Sequence, residues 1–286
     1  MCRWIAYTGS PVLIEDLLYT PTNSLIVQSL HARLGVEPTN GDGFGVGWYD
    51  QDGPGVFRST EPAWNDRNLR ELAGHVHSSV VVAHVRASTG TAVQQTNSHP
   101  FRHGNWLWMH NGAIASFPSV KRELMLAVDP ELFPDIEGST DSELFFHLAL
   151  TFGLQTDPPE AVARAVGLIE EVGTRHGVAF PLQMTVATTD GETLWAFRYS
   201  SEGRSRSLFH NVDVATLRAQ YPDNPVLHRL ADEARLVVSE PLGDLQGAWR
   251  EVPESTCVVI RNGSEELRPF GPAALASAGD GAPARW

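Results

Sequence analysis

The feature that most limits what this chain can become is residues 76–87, Val-His-Ser-Ser-Val-Val-Val-Ala-His-Val-Arg-Ala. A run this rich in β-branched residues reads as a buried strand. A buried strand needs a sheet around it and further layers to cover that sheet. Other segments supply the partners. Residues 2–8 (Cys-Arg-Trp-Ile-Ala-Tyr-Thr) alternate and are aromatic or β-branched, and residues 106–110 (Trp-Leu-Trp-Met-His) form another apolar run ending at Asn111-Gly112. Farther on, residues 182–189 and 193–199 flank Asp190-Gly191, a hairpin turn, and residues 235–239 and 256–261 complete the strand set.

Helical patterns lie between these strand groups. Residues 14–18 and 24–30 are short ones, and residues 121–128 make a third. Thr140 with Glu143 three residues on is a capping box that starts a helix through Leu144, Phe145 and Leu148. Asp157-Pro158-Pro159-Glu160 caps the next, in which Val162, Ala165, Val166, Ile169 and Val172 recur at helical spacing. The order of strands, two long helices and more strands predicts an α+β fold, two sheets with helices outside, in one continuous domain. The stretch from residue 271 is low in complexity, so the expected division is a domain over 1–270 and a flexible tail over 271–286.

The first half also holds Asp42-Gly43-Phe44-Gly45-Val46-Gly47-Trp48, with glycine at every second position. One face of that strand has no side chains, so either another backbone or a ligand comes close there. It is not a phosphate loop, because no helix and lysine follow.

Composition narrows the function classes. A net charge of -13 and a pI near 5.2 give no electrostatic footprint for nucleic acid or anionic membrane. The two cysteines, Cys2 and Cys257, are far apart and in no ligand-type spacing, which suits a reducing interior. No secretory leader and no spanning apolar run is read, so the expected location is cytoplasmic. His75, His77, His84, His99, His103 and His110 fit no metal motif and are expected to be hydrogen-bonded structural histidines; no metal and no cofactor is expected.

Four features carry chemistry. Removal of Met1 would leave Cys2 with thiol and free amine on one residue, a nucleophile with its own base. Arg86, just past the buried strand, offers a planar fork that suits a carboxylate. Asn111 and Gly112 place a side-chain amide and a backbone N–H side by side, as donors for an oxyanion or as a tight turn. Asp141, in the first turn of its helix, is held as the anion and suits an ammonium. Together they describe a free amino acid attacked at a side-chain carbonyl, with glutamine or a γ-glutamyl amide as the obvious member.

Cys2, the strand end His84-Val85-Arg86-Ala87-Ser88-Thr89, Asn97-Ser98-His99-Pro100-Phe101, His110-Asn111-Gly112 and Ser139-Thr140-Asp141-Ser142-Glu143 together resemble the class II glutamine amidotransferase domain, over about residues 2 to 260. The resemblance implies the four-layer αββα sandwich of the N-terminal nucleophile hydrolases. It also implies Cys2 as nucleophile, Asn111 and Gly112 as the oxyanion hole, Arg86 with Ser88 and Thr89 on the substrate carboxylate, and Asp141 on its ammonium. The opening residues and Val238-Ser239-Glu240-Pro241-Leu242 are most similar to small stand-alone members of the YafJ-like and ergothioneine-pathway γ-glutamyl hydrolase group. Ala87 stands where the sugar-phosphate enzymes carry tryptophan. The substrate is then a small molecule, glutamine or a γ-glutamyl amide. The rivals are a glutaminase subunit that feeds ammonia to a separate synthetase, and a non-catalytic glutamine-binding module.

Overall fold

The structure is a computed structural model that describes residues 2–34, 39–88 and 90–274. Met1, Thr89 and residues 275–286 of the expected tail therefore lie outside the described residues.

The strands form two antiparallel sheets. Strands β1 (Arg3–Leu13), β2 (Phe44–Asp50), β3 (Gly53–Ser59), β4 (His77–Val85), β9 (Phe209–Asn211), β10 (Arg235–Val238) and β11 (Trp249–Glu251) make the first, in the order β11-β9-β10-β1-β4-β2-β3. Strands β5 (Phe101–His103), β6 (Trp106–Ile114), β7 (Leu182–Thr189), β8 (Thr193–Ser200), β12 (Thr256–Arg261) and β13 (Ser264–Pro269) make the second, in the order β13-β12-β8-β7-β6-β5. Helices α1 (Ile14–Leu18), α2 (Leu25–Leu30) and α3 (Arg67–Ala73) pack outside the first sheet. Helices α4 (Phe117–Leu126), α5 (Asp141–Thr151) and α6 (Pro158–Arg175) cover the second. Two short helices, α7 (Val214–Gln220) and α8 (Pro225–Arg229), complete the set. This is the expected α+β, four-layer αββα sandwich.

Apolar side chains explain the layering. Along β1, Ile5 and Tyr7 point to the helices while Trp4 and Ala6 point between the sheets. Along β6, Trp108 packs against Phe145 and Phe146 of α5, whereas Leu107 and Met109 join the inter-sheet core. Strands β1 and β6 are thus apolar on both faces, so residues 4–7 make a continuous apolar run and not the alternation expected from sequence over 2–8. The Trp4 indole N–H crosses between the sheets to the Thr185 hydroxyl at 3.3 Å.

Three local readings need correction. Strand β1 does not stop at Gly9-Ser10-Pro11; pairing with β4 shifts register between Thr8 and Val12 and then resumes, so a bulge absorbs the turn-like residues. Strand β6 runs straight through Asn111-Gly112, which is no turn, because β7 pairs with it from Leu107 to Ile114. The capping box is half formed. Thr140 accepts from the Glu143 N–H at 3.1 Å, but the Glu143 carboxylate accepts from the N–H groups of Glu137 and Gly138, at 2.9 and 2.7 Å. It braces the loop before the helix instead.

The alternating glycines of β2 have a packing role. A Cβ on Gly45 would stand 2.1 Å from the His99 carbonyl oxygen, and one on Gly47 would press on Leu107 and Pro100. Their bare face admits the 98–100 segment and the second sheet. At the other end of the chain, the Ala273 N–H donates to the Ala163 carbonyl of α6 at 2.9 Å.

Candidate active site

Cys2 immediately precedes β1, the central strand of the first sheet, with β4 on one side and β10 on the other. Arg3 pairs with Val85, so Cys2 lies opposite the residues just past β4. Its Sγ accepts the Ala87 N–H at 3.4 Å and lies 3.5 Å from the Ala87 carbonyl oxygen. Burial pushes the thiol above its ordinary range, opposed by the Ala87 N–H and the positive charges of Arg86 and Arg206. At neutral pH the group rests as a thiol, and a base is needed at the moment of attack.

Asn111 reaches across from the second sheet. Its Nδ2 donates to the Cys2 carbonyl oxygen at 2.7 Å, locking the residue before β1 to the middle of β6. The Ile114 N–H donates to Asp141 Oδ2 at 2.8 Å, on the edge of β6 away from β7. N–H directions alternate along a strand, so the Gly112 N–H faces that same open edge. Gly112 has φ +155°, and a Cβ there would stand 1.8 Å from the Gln183 carbonyl oxygen, so only glycine fits. Both groups therefore sit on a strand, where it runs past the short edge strand β5, and not on a loop.

Arg86 is only 4% exposed. Its Nη2 donates to the hydroxyls of Ser88 at 3.3 Å and Thr91 at 2.5 Å, and its Nη1 to the carbonyls of Asp42 and Ala92. The Ser88 N–H in turn donates to Asp42 Oδ2 at 2.7 Å. Asp141, half-buried at the start of α5, also accepts the Ser142 N–H on Oδ1 at 2.8 Å and keeps lone pairs for a further donor. Asn97 ties the two regions together: it accepts the Ser139 N–H at 2.9 Å and donates to the Ala92 carbonyl at 2.9 Å. Of the residues expected from sequence, Cys2, Asn111, Gly112, Arg86, Ser88 and Asp141 are thus positioned around one end of the inter-sheet gap, and Thr89 lies outside the described residues.

Three buried histidines stand behind the site. His84 and His99 lie against each other with centroids 4.2 Å apart and planes tilted by 33°, and His99 leans on Phe101 at 4.5 Å. Burial, reinforced by the Arg86 charge, pushes His84 down to about 3 and holds His99 well below its ordinary value. His110 is lowered by burial against the pull of Asp141, and its Nδ1 meets the Ser142 hydroxyl at 2.8 Å. The expectation of hydrogen-bonded histidines holds for His110 and for His75, whose Nδ1 meets the Glu71 carbonyl at 2.7 Å, but needs correction at His84 and His99. His99 has no protein partner for either ring nitrogen among the described residues, and His84 lies against Asn111 too loosely for a well-formed bond. Packing, not hydrogen bonding, holds these rings. Among the described residues no group of three His, Cys, Asp or Glu side chains is arranged to hold a metal, and no helix is long and apolar enough to cross a membrane.

Sequence reasoning missed Asp42, Asn97, Arg3 and Glu240. The last two form a buried ion pair, Arg3 Nε to Glu240 Oε2 at 3.0 Å, and Arg3 Nη1 also donates to the Cys2 carbonyl at 3.0 Å. A carboxylate just past a strand was the available signal for Glu240, but its partner is 237 positions away.

Comparison with known proteins gives concordant results. Residues 19–275 match the family described as "Glutamine amidotransferases class-II". The probable glutamine amidotransferase DUG3 of Saccharomyces cerevisiae is 34% identical over 302 residues, covering 94% of this chain and 84% of the relative. The gamma-glutamyl-hercynylcysteine sulfoxide hydrolase of Mycolicibacterium smegmatis is 29% identical, covering 94% of this chain and all of the relative. A solved glutamine aminotransferase class-II domain protein from Silicibacter pomeroyi superposes with a TM-score of 0.73 at 32% identity, over 95% of this chain and 100% of that one.

Proposed function

Since this chain belongs to the class-II glutamine amidotransferases, we propose that it hydrolyses the γ-glutamyl amide bond of glutamine or of a γ-glutamyl compound, through a thioester on Cys2. The protein is an enzyme, and its substrate is a small molecule. The observation that supports this assignment of roles is the 2.7 Å bond from Asn111 Nδ2 to the Cys2 carbonyl, which joins Asn111 of one sheet to Cys2 at the start of the other.

Once Met1 is removed, the Cys2 amine takes the thiol proton as Sγ attacks the γ-carbonyl carbon. The carbonyl oxygen becomes an oxyanion held by the Asn111 amide and the Gly112 N–H. The protonated amine then delivers its proton to the leaving nitrogen, the C–N bond breaks, and a γ-glutamyl thioester remains. Water, deprotonated by the same amine, releases glutamate and restores the thiol. Arg86 holds the substrate α-carboxylate, which takes over the bonds Nη2 now gives to Ser88 and Thr91, with Ser88 and Thr89 beside it. Asp141 holds the α-ammonium. Residues 1–270 act as the amidotransferase domain, and the location is cytoplasmic.

The test is glutamate release from glutamine and from γ-glutamyl amides by wild type and Cys2→Ala. Loss of turnover in folded Cys2→Ala is expected; retained turnover would sink the mechanism. Mass spectrometry of the active protein should find Met1 gone, and a synthetase that copurifies and raises the rate would favour the ammonia-donor reading.

A further inference from the structure

The segment Ser239-Glu240-Pro241 is built into the molecule more tightly than its place past a short strand requires. The Ser239 hydroxyl accepts the Trp4 N–H at 2.9 Å, and the Ser239 N–H donates to the Trp4 carbonyl at 3.1 Å. Glu240, 1% exposed, accepts four N–H donors. Oε2 takes Arg3 Nε at 3.0 Å and the Leu34 N–H at 2.9 Å; Oε1 takes Asn23 Nδ2 at 3.1 Å and the Arg33 N–H at 3.0 Å. Four donors fill a carboxylate's capacity, so this group is a hub and not a ligand site.

Two of its spokes lead to the reaction. Arg3 passes the contact on to the Cys2 carbonyl through Nη1, the same oxygen that Asn111 holds. The backbone of Arg33 and Leu34 precedes Asn40, whose N–H donates to the Ser29 carbonyl at 2.7 Å, and Asp42, which lies beside Arg86 and Ser88. The strand order β10-β1-β4 places Glu240 and Arg86 on opposite sides of Cys2. A glutamyl chain anchored at Arg86 reaches Cys2 with its γ-carbon, so whatever is attached beyond that carbon faces the Glu240 side.

We propose that Glu240 is a positioning residue with two effects: it fixes the Cys2 backbone through Arg3, and it fixes the wall at Arg33–Leu34 against which the leaving amine lies. The second effect rests on the γ-glutamyl reading; the first does not.

Glu240→Gln keeps the shape but turns one acceptor into a donor facing donors, so the hub loses bonds without leaving a cavity. In folded Glu240→Gln, kcat for glutamine should fall at least about tenfold from the displaced nucleophile. The kcat/KM ratio of a bulky γ-glutamyl anilide to glutamine should shift a further severalfold, mostly through KM, because only the anilide touches the wall. Glu240→Asp should recover part of the kcat loss. Rates that track the folded fraction, with an unchanged anilide-to-glutamine ratio, would make Glu240 merely structural and overturn the proposal. Should wild type hydrolyse neither compound, the functional reading fails by itself. The Cys2 effect is then read by iodoacetamide: a severalfold change in the Cys2 alkylation rate in folded Glu240→Gln supports it, and an unchanged rate overturns it.

Discussion

The two cysteines are one side chain in two surroundings. Cys257 lies on β12 at 1% exposure, within the apolar layer that also holds Phe197 and Phe270, and burial pushes its thiol up to about 12. Its Sγ lies 3.9 Å from the Val258 carbonyl oxygen, and the Arg268 charge opposes burial without offsetting it. Burial raises Cys2 as well, but there an N–H from Ala87 and the charges of Arg86 and Arg206 work against it. Desolvation weakly opposed by one cation leaves a thiol inert; an N–H donor together with two cations makes Cys2 a nucleophile in waiting.

The sharpest way to break that contrast is alkylation. Under native conditions iodoacetamide should modify Cys2 at least about 100-fold faster than Cys257, and Cys257→Ala should leave turnover intact. Peptide mapping that finds equal labelling would remove the distinction. Next in size is Asn111→Ala. Losing one oxyanion donor should lower kcat by about 10²–10³-fold with little change in KM, and steady-state kinetics on folded protein decide it. A smaller effect separates the two regions by acid. His84, His99 and His110 are held neutral on the Cys2 side, with folded pKa values below the unfolded value of 6.5. Their contribution is complete above about pH 6.5 and is lost as pH falls toward the folded values, by up to about 1.4 kcal/mol per pH unit for each such histidine. Urea unfolding between pH 7.5 and 5 should show that loss, and His99→Phe should reduce the slope. A flat profile would place the acid sensitivity elsewhere.

Much of this was legible because the reacting groups sit within a residue or two of apolar runs. The β-branched run before Arg86, the aromatic run before Asn111 and the cap at Thr140 each announce an element and place the next side chain at its end. Sequence reasoning missed strands β3 and β13 although Asn262-Gly263 marks the turn into β13, whereas other features that stayed hidden have no local signal. Strands β5, β9 and β11 are three residues each, too short for a period. Glu240 meets Arg3 across 237 positions, and Asp42 reaches Ser88 across 46, so neither pairing leaves a spacing to recognise. The end of a strand was misplaced twice for one reason: turn-favouring residues at 9–11 and at Asn111-Gly112 were accommodated inside a ladder whose partner strand kept pairing.

Strand β6 carries one more consequence. Its ladder with β7 is unbroken on both sides of Asn111-Gly112, so these positions open only when the sheet itself opens, and their environment is as durable as the domain. The Arg33–Leu34 backbone is instead hung on one side chain, the Glu240 carboxylate. On the proposed roles, exchanging that one hanger is how a lineage changes the leaving group it accepts while inheriting the cutting edge unaltered.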